Sequence, residues 1–258
     1  MNVVDTIAEL REALESARHG GGSVGLVPTM GAFHEGHRSL FRVARDECDI
    51  VVVSLFVNPA QFEEDSDLAG YPGDRQTDEA LAENAGVDVL FVPSVDEIYP
   101  PGFQTWVEVE ELGRQLEGVY RPGHFRGVAT ICLKLFNLVR PERAYFGQKD
   151  AQQVAVLRRM IRDLDLELTL RVLPTIRDAD GLALSSRNSQ LTAEDRKRAV
   201  TLPRALATRD LDAARAALAG LDIDYVEVVD LDPPVLAAAV RVGSTRLIDN
   251  VVLDKEMP

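Results

Sequence analysis

From residue 27 to residue 37 the chain reads Val27-Pro28-Thr29-Met30-Gly31-Ala32-Phe33-His34-Glu35-Gly36-His37, and this stretch decides the fold. The apolar run Ser23 to Val27 predicts a strand, and apolar residues at helical spacing predict a helix that begins near His37. A turn from a strand into a helix exposes backbone N–H groups and the positive end of the helix dipole. With two imidazoles added, the turn predicts an anion site, and a nucleotide is the expected ligand.

Taken alone, the pair His34 and His37 fits other interpretations equally well. Spacing of three residues places both rings on one helical face, as in a metal-binding pair or in a chance surface arrangement. A zinc site needs two more ligands, yet the chain has only four histidines and two cysteines. His19 and His124 do not stand at ligand-like spacing. The remaining motifs must decide between these interpretations.

Composition narrows the class of protein. The net charge of −14 argues against a nucleic-acid partner, because phosphate backbones require basic surface. No apolar run approaches the length of a membrane span, and the first twenty residues resemble an amphipathic helix more than a signal peptide. Cys48 and Cys132 lie in apolar patterns and are expected to be buried free thiols. We therefore expect a soluble cytoplasmic protein without a membrane partner.

The first two-thirds of the chain alternates strand and helix patterns, which predicts an α/β fold with a Rossmann-like parallel sheet. After Ser189 the pattern changes to a charged helix over Thr192–Arg209 and short strands over Tyr225–Val229 and Thr245–Ile248. We expect two domains, a nucleotide-binding catalytic domain over 1–175 and a smaller α+β lid domain over 176–258. The other predicted helices are Asp5–Arg18, Arg75–Ala85, Val128–Val139 and Gln152–Leu164, and the other strands are Ile50–Val57, Val87–Val92, Ala144–Phe146, Leu166–Leu173 and Thr105–Val109.

Ligands of parallel sheets bind beyond the carboxyl ends of the strands, so the polar runs there are candidate site residues. Gly147-Gln148-Lys149-Asp150 offers a lysine at a helix start, and Leu184-Ser185-Ser186-Arg187-Asn188 offers hydroxyls and a guanidinium. Gln61 and Gln153 carry neutral amides suited to orienting a hydroxy acid. Considered alone, the first two segments fit an ordinary turn better than a binding site, and either glutamine could equally be a surface side chain.

Together these segments follow one family closely. His34 to His37 forms the HxGH pattern of adenylyl-transferring enzymes. Further motifs follow in order, namely Phe56-Val57-Asn58-Pro59, Gln61-Phe62, Arg121-Pro122-Gly123-His124-Phe125, Gly147, Lys149-Asp150, Gln152-Gln153, Ser185-Ser186-Arg187-Asn188, Asp224-Tyr225-Val226-Glu227 and Thr245-Arg246-Leu247-Ile248-Asp249-Asn250. The chain resembles the pantothenate synthetase (pantoate–β-alanine ligase) family.

The resemblance implies a homodimeric enzyme that joins pantoate to β-alanine with ATP and Mg²⁺ through an enzyme-bound pantoyl-adenylate, releasing AMP and pyrophosphate. It gives catalytic roles to His37, the expected proton donor, and to His34, Lys149 and Arg187. It assigns pantoate to Gln61 and Gln153, and a metal-associated position to Asp78. The ATP site that it implies consists of Met30, Gly31, His34, His37, Gly147, Gln148, Lys149, Asp150, Ile176, Leu184, Ser185, Ser186 and Arg187. Protonated imidazoles are expected to offset the repulsion between carboxylate and phosphate.

The chain departs from the family pattern at several positions. Gln148 stands where glutamate is usual, Ala151 where an aromatic residue is common, and the stretch Thr192 to Ile223 is shorter than usual. Two other functions remain open at this stage. One is an HxGH nucleotidyltransferase that acts on a phosphorylated acceptor, and the other is a nucleotide-binding homologue without catalytic activity.

Overall fold

The computed structural model describes residues 1–62 and 73–253. These residues form two compact units, one from Met1–Phe146 with Val156–Leu173 and the other from Gly147–Ala155 with the chain from Pro174 onward. Within the described parts of the chain, no helix has both the length and the apolar character needed to cross a bilayer.

The first unit is built on a six-stranded sheet. Its strands are β1 (Asn2–Val4), β2 (Val24–Thr29), β3 (Ile50–Leu55), β4 (Val89–Phe91), β5 (Arg143–Gly147) and β6 (Thr169–Leu173), in the order β1-β4-β3-β2-β5-β6. The pairs β1–β4, β4–β3, β3–β2 and β2–β5 are parallel. The chain order reverses between β2 and β5, and ligands of such sheets bind at the carboxyl ends of strands beside this reversal.

Helices surround this sheet because its strands are apolar on both faces. Val51, Val52 and Val53 of β3 are fully buried, and Phe41 packs in the same core as Val51 and Val53. The helices are α1 (Ile7–Arg18), α2 (Glu35–Glu47), α3 (Arg75–Asn84), α4 (Val95–Ile98), α5 (Glu117–Tyr120), α6 (His124–Val139) and α7 (Ala151–Asp163). The prediction that Cys48 and Cys132 are buried free thiols is confirmed.

The second unit is a small α+β structure. Helices α8 (Ala193–Ala199), α9 (Thr201–Leu206) and α10 (Leu211–Leu218) precede an antiparallel sheet of β7 (Asp222–Asp230), β8 (Pro234–Val242) and β9 (Thr245–Val252), with β8 in the centre. Leu202 and Leu218 pack with Leu236 and Val240 in its core. The predicted fold class, a Rossmann-like parallel sheet with a smaller α+β part, is confirmed.

Two predicted elements are wrong. The single helix predicted over Thr192–Arg209 is two helices, α8 and α9, because Pro203 has no N–H to donate to the carbonyl four residues earlier. Thr105–Val109 is not a strand, and the N–H of Val107 donates to the hydroxyl of Thr130 at 3.0 Å instead of to a neighbouring strand. The division at residue 175 and the lid role of residues 176–258 stay predictions.

Candidate functional site

The turn after β2 has an unusual backbone conformation. Gly31 and Ala32 have φ angles of 86° and 53°, which lie in the left-handed region. The N–H groups of Ala32 and Phe33 both donate to the carboxylate of Asp78, at 2.8 and 2.7 Å. Asp78 lies on α3 and is only 2% exposed. The turn is therefore held from a neighbouring helix, and Met30 and Gly31 lie at its start, partly exposed and buried respectively.

His34 and His37 form a reciprocal cap at the start of α2. The N–H of Gly36 donates to Nδ1 of His34 at 3.1 Å, and the N–H of His34 donates to Nδ1 of His37 at 3.3 Å. The two ring centroids are 4.2 Å apart. A nitrogen that accepts a hydrogen bond carries no proton, so each neutral ring carries its proton on Nε2. The expectation that both imidazoles are protonated when a nucleotide is bound stays a prediction.

The cap explains the glycine of the HxGH pattern. A Cβ atom at Gly36 would lie 2.8 Å from Cε1 and 2.9 Å from Nδ1 of His34. The ring of His34 thus lies against the backbone of Gly36. Only glycine, which has no Cβ atom, leaves room for the ring there. Phe33 supports the other ring, since its centroid is 5.5 Å from that of His37 and 5.1 Å from that of Phe41.

Gln61 is held by a buried asparagine. Oδ1 of Asn58 accepts from the hydroxyl of Tyr99 at 2.9 Å and from the N–H of Ala60 at 3.2 Å, which identifies the other side-chain atom as the amide nitrogen. That nitrogen donates to Oε1 of Gln61 at 2.9 Å and to the carbonyl of Gly127 at 3.2 Å. The Gln61 amide is therefore fixed with its oxygen on Asn58, which makes its nitrogen the atom suited to donate to a substrate oxygen.

The backbone of Gln61 is held by Arg121, just before α6, and by His124, its first residue. The Gln61 carbonyl accepts from Nδ1 of His124 at 3.0 Å and from the guanidinium of Arg121 at 3.3 Å. A second Arg121 nitrogen lies 3.3 Å from Nε2 of His124, which acts as acceptor because guanidinium can only donate. Gly127 permits the close approach of α6, since a Cβ there would be 2.3 Å from the carbonyl oxygen of Ala60.

In the second unit, Asn250 holds the turn that contains Lys149. The side-chain nitrogen of Asn250 donates to the carbonyls of Gln148 and Lys149 at 3.0 and 2.8 Å, and its oxygen accepts from the Gln148 amide at 3.1 Å. Gly147 precedes this 3₁₀ turn, Gln148–Asp150, and Lys149 forms an ion pair of 3.3 Å with Asp150. Gln153 lies in the first turn of α7 and is partly exposed.

The remaining predicted residues come together in the same unit. The N–H of Leu184 donates to the carbonyl of Ile176 at 2.9 Å. Ser185 caps the 3₁₀ turn Ser186–Gln190 by accepting from the N–H of Arg187 at 3.3 Å. A depression that is open to solvent is lined by Lys149, Ser185, Arg187, Arg246 and Asp249, among others. Three cationic side chains therefore line one depression, and two of them are paired, Lys149 with Asp150 at 3.3 Å and Arg246 with Asp224 at 2.5 Å.

Sequence reasoning assigned no role to Asn58, Arg121, His124 or Asn250, although the motifs contained all of them. The signal that was missed is that each is a polar residue inside one of the quoted motifs. The metal-associated role of Asp78 stays a prediction. Among the residues with described positions, no group of three or more His, Cys, Asp or Glu side chains is arranged to hold a metal ion.

Comparison with known proteins agrees with these features. The family model for pantoate–β-alanine ligase matches residues 2–252. Pantothenate synthetases of Corynebacterium efficiens and Acidobacterium capsulatum are 51% and 49% identical to this chain; the alignments cover 98% of the chain and 99% and 97% of those proteins.

Solved structures show the same fold. Pantothenate synthetase from Thermus thermophilus superposes with a TM-score of 0.92 at 45% identity, covering 98% of this chain and 99% of that one. Pantoate–β-alanine ligase from Francisella tularensis, crystallised with β,γ-ATP and β-alanine, gives a TM-score of 0.87 at 36% identity, covering 98% and 97%. The chain belongs to the pantoate–β-alanine ligase family.

Proposed function

We propose that this protein condenses pantoate with β-alanine to form pantothenate at the expense of ATP. In the first step a pantoate carboxylate oxygen attacks the α-phosphorus of ATP, and pyrophosphate leaves. In the second step the β-alanine amine attacks the acyl carbon of the pantoyl-adenylate, and AMP leaves. The observation that carries the proposal is the reciprocal cap of His34 and His37, which presents two Nε2–H donors beside the N-terminus of α2.

We assign the charge-stabilising roles to His34, His37, Lys149 and Arg187. The first step brings a carboxylate and a triphosphate together, so donors fixed in place before the reaction lower its barrier. The Nε2–H of His37 donates to a phosphate oxygen, and the two cationic side chains receive the pyrophosphate charge. The other residues of the proposed ATP site are Met30, Gly31, Gly147, Gln148, Asp150, Ile176, Leu184, Ser185 and Ser186.

We assign pantoate to Gln61 and Gln153. An amide binds hydroxyl and carboxylate oxygens without adding charge, so the carboxylate keeps its nucleophilic character. The orientation that Asn58 imposes on Gln61 supports this role, because the amide nitrogen is then the donor toward the substrate.

ATP enters this reaction as its Mg²⁺ complex in our proposal. Mg²⁺ keeps several water ligands and is commonly bound through substrate phosphates with one or two carboxylates, so it requires no dedicated cluster of protein ligands. We place the enzyme in the cytoplasm, in agreement with its two buried, unpaired cysteines.

The test is a product assay with ATP, Mg²⁺, pantoate and β-alanine. We expect pantothenate, AMP and pyrophosphate in equal amounts. Without β-alanine we expect a burst of pyrophosphate equal to the enzyme concentration, because the adenylate stays bound. Formation of a dinucleotide from a phosphorylated acceptor contradicts the proposal, as does ATP binding without turnover.

We further propose that the protein is a homodimer and that the surface around Thr105–Val109 contacts the second copy. The segment lies outside the described strands, and Trp106 within it is 40% exposed despite its size. Sedimentation velocity tests this proposal. We expect a dimer for the wild type and a monomer for Trp106→Glu, whereas a dimer for both excludes this surface.

A further inference from the structure

The turn after β2 has the geometry of an anion-binding nest. The successive N–H groups of Ala32 and Phe33 point toward the two oxygens of one carboxylate, and such pairs of amides commonly hold phosphate or another anion. Here the anion belongs to the protein, because both amides donate to the Asp78 carboxylate. At 2% exposure, Asp78 is buried beneath the turn.

We infer that Asp78 is the positioning residue of the His34–His37 cap. It occupies the nest, so ATP phosphates are received by the imidazole Nε2 atoms and the N-terminus of α2, not by the amides of residues 32 and 33. This inference rests on the proposed function for the identity of the ligand. It gives Asp78 a task different from the metal-associated one that the family resemblance implies.

The backbone conformation of the turn explains why the turn needs a stabilising contact from another element. Ala32 has a φ of 53°, a conformation that residues with a Cβ atom rarely adopt. Gly31 has a φ of 86°, and a Cβ atom there would lie 2.9 Å from Oδ2 of Asp78. The Asp78 carboxylate therefore lies against Gly31, which has no Cβ atom. Through its hydrogen bond it also holds Ala32 in the left-handed conformation.

Phe33 connects the contact between Asp78 and the turn to the His34–His37 cap. Asp78 fixes the N–H of Phe33, and the Phe33 ring packs between the rings of His37 and Phe41. If the turn relaxes, the Phe33 ring moves and the His37 ring loses its support. Asp78 thereby acts on the reaction without touching a substrate.

The experiment compares Asp78→Asn with the matched control Glu79→Gln. Glu79 is the next residue on α3 and pairs with Arg75 on the surface, so its variant removes a carboxylate from the same helix without touching the turn. In Asp78→Asn an NH₂ group replaces one acceptor and meets a backbone N–H. We expect calorimetric ATP affinity to fall roughly tenfold in Asp78→Asn and to stay unchanged in Glu79→Gln.

Two further readouts separate positioning from metal binding and from general stability. The Mg²⁺ concentration for half-maximal pyrophosphate release at saturating ATP should not change, whereas loss of a metal ligand raises it. Adding Ala32→Gly to Asp78→Asn should restore part of the affinity, because glycine adopts the left-handed conformation at little cost. Unfolding temperature and near-UV circular dichroism show that the variants are folded at the assay temperature.

The inference is overturned if Asp78→Asn binds ATP like the wild type, if its Mg²⁺ requirement rises, or if Ala32→Gly restores nothing. If Asp78→Asn does not fold, Asp78→Glu replaces it with the same expectations, since it keeps the charge and displaces the oxygens. Failure of the proposed function has another signature, namely wild-type protein that binds ATP and releases no pyrophosphate with pantoate.

Discussion

Gly36 is the residue that allows the His34 ring to lie across the first turn of α2. In Gly36→Ala the new methyl group displaces this ring, and we expect pyrophosphate release to fall about a hundredfold, the typical cost of one lost transition-state donor. Stability should change little, because alanine favours the helix by about 1 kcal/mol while the cap is weakened by a similar amount. Pyrophosphate release and thermal unfolding measure the two effects.

Gly20→Ala is the control for this substitution. A Cβ atom at Gly20 meets nothing within 4 Å, so the variant should keep wild-type activity. Equal activity of Gly36→Ala and Gly20→Ala contradicts the role of the His34 ring.

Lys149 and Gln153 should affect different substrates. Lys149 carries a point charge suited to phosphates, and Gln153 a neutral amide suited to a hydroxy acid. We therefore expect Lys149→Ala to raise the KM for ATP more than the KM for pantoate, and Gln153→Ala to do the reverse. Separate titrations of the two substrates test this, and the assignment fails if both variants affect both constants equally.

The residues that could be predicted from the sequence are those whose chemistry is visible locally. Two histidines around a glycine after an apolar strand indicate an anion site without a structure. The supporting contacts could not be predicted, because they join distant positions, as His124 does with the carbonyl of Gln61 and Asp78 with the turn at residue 32. Only the fold brings such pairs together.

The secondary-structure elements predicted from the sequence agree with the structure where a single hydrophobic periodicity dominates the segment. The continuous apolar run of β3 was predicted as a buried strand, and β3 is one. The central strand β8 was missed because its Ala237-Ala238-Ala239 core has no strand preference, and its position between β7 and β9 determines its conformation. Pro203 was the local signal that the predicted helix over 192–209 is broken.

Strand β9 should control ATP binding through Asn250. Asn250→Ala removes both donors to the turn of Gln148 and Lys149, so we expect the KM for ATP to rise roughly tenfold with little effect on the KM for pantoate. Asn250→Asp keeps the oxygen that accepts from Gln148 and loses the donors. If the donors position Lys149, the two variants should behave alike in ATP titrations; near-wild-type behaviour of Asn250→Asp shows that they do not.

The end of α2 is tied to strand β6 by an ion pair that depends on pH. Arg171 donates to Glu47 at 3.0 and 2.5 Å, and this hydrogen bonding lowers the pKa of Glu47 below its ordinary 4.5. Ionised Glu47 therefore stabilises the folded state above about pH 4.5, and the stabilisation is lost as pH falls through the lowered pKa.

Arg171→Gln should consequently reduce the free energy of unfolding at pH 7 and reduce it by less at pH 3. Chemical denaturation at the two pH values measures this difference. Arg159→Gln, which removes an arginine from an exposed pair with Asp163, is the control and should change stability by no more than about 0.5 kcal/mol at either pH. Equal losses at both pH values in Arg171→Gln contradict the role of the ion pair.

At the scale of the whole molecule, a chain with a net charge of −14 brings three cationic side chains together in one place. Lys149, Arg187 and Arg246 line one depression of the second unit beside Asp249, and Lys149 and Arg246 are paired with carboxylates, so an anionic ligand there competes with these carboxylates for the cations. Composition alone indicated only that an anionic ligand needs such a cluster. It could not say which of the many arginines form it, because they are spread along the sequence.

Trp106 is the single tryptophan of the chain and lies in the first unit, with the Arg126 guanidinium 4.5 Å from its ring centre. Its fluorescence therefore reports the unfolding of the first unit alone. Far-ultraviolet circular dichroism reports the loss of secondary structure in both units. A denaturant titration followed by both signals will give coincident curves if the units melt as one and separate midpoints if they do not. One indole thus makes the cooperativity of the molecule measurable without any added label.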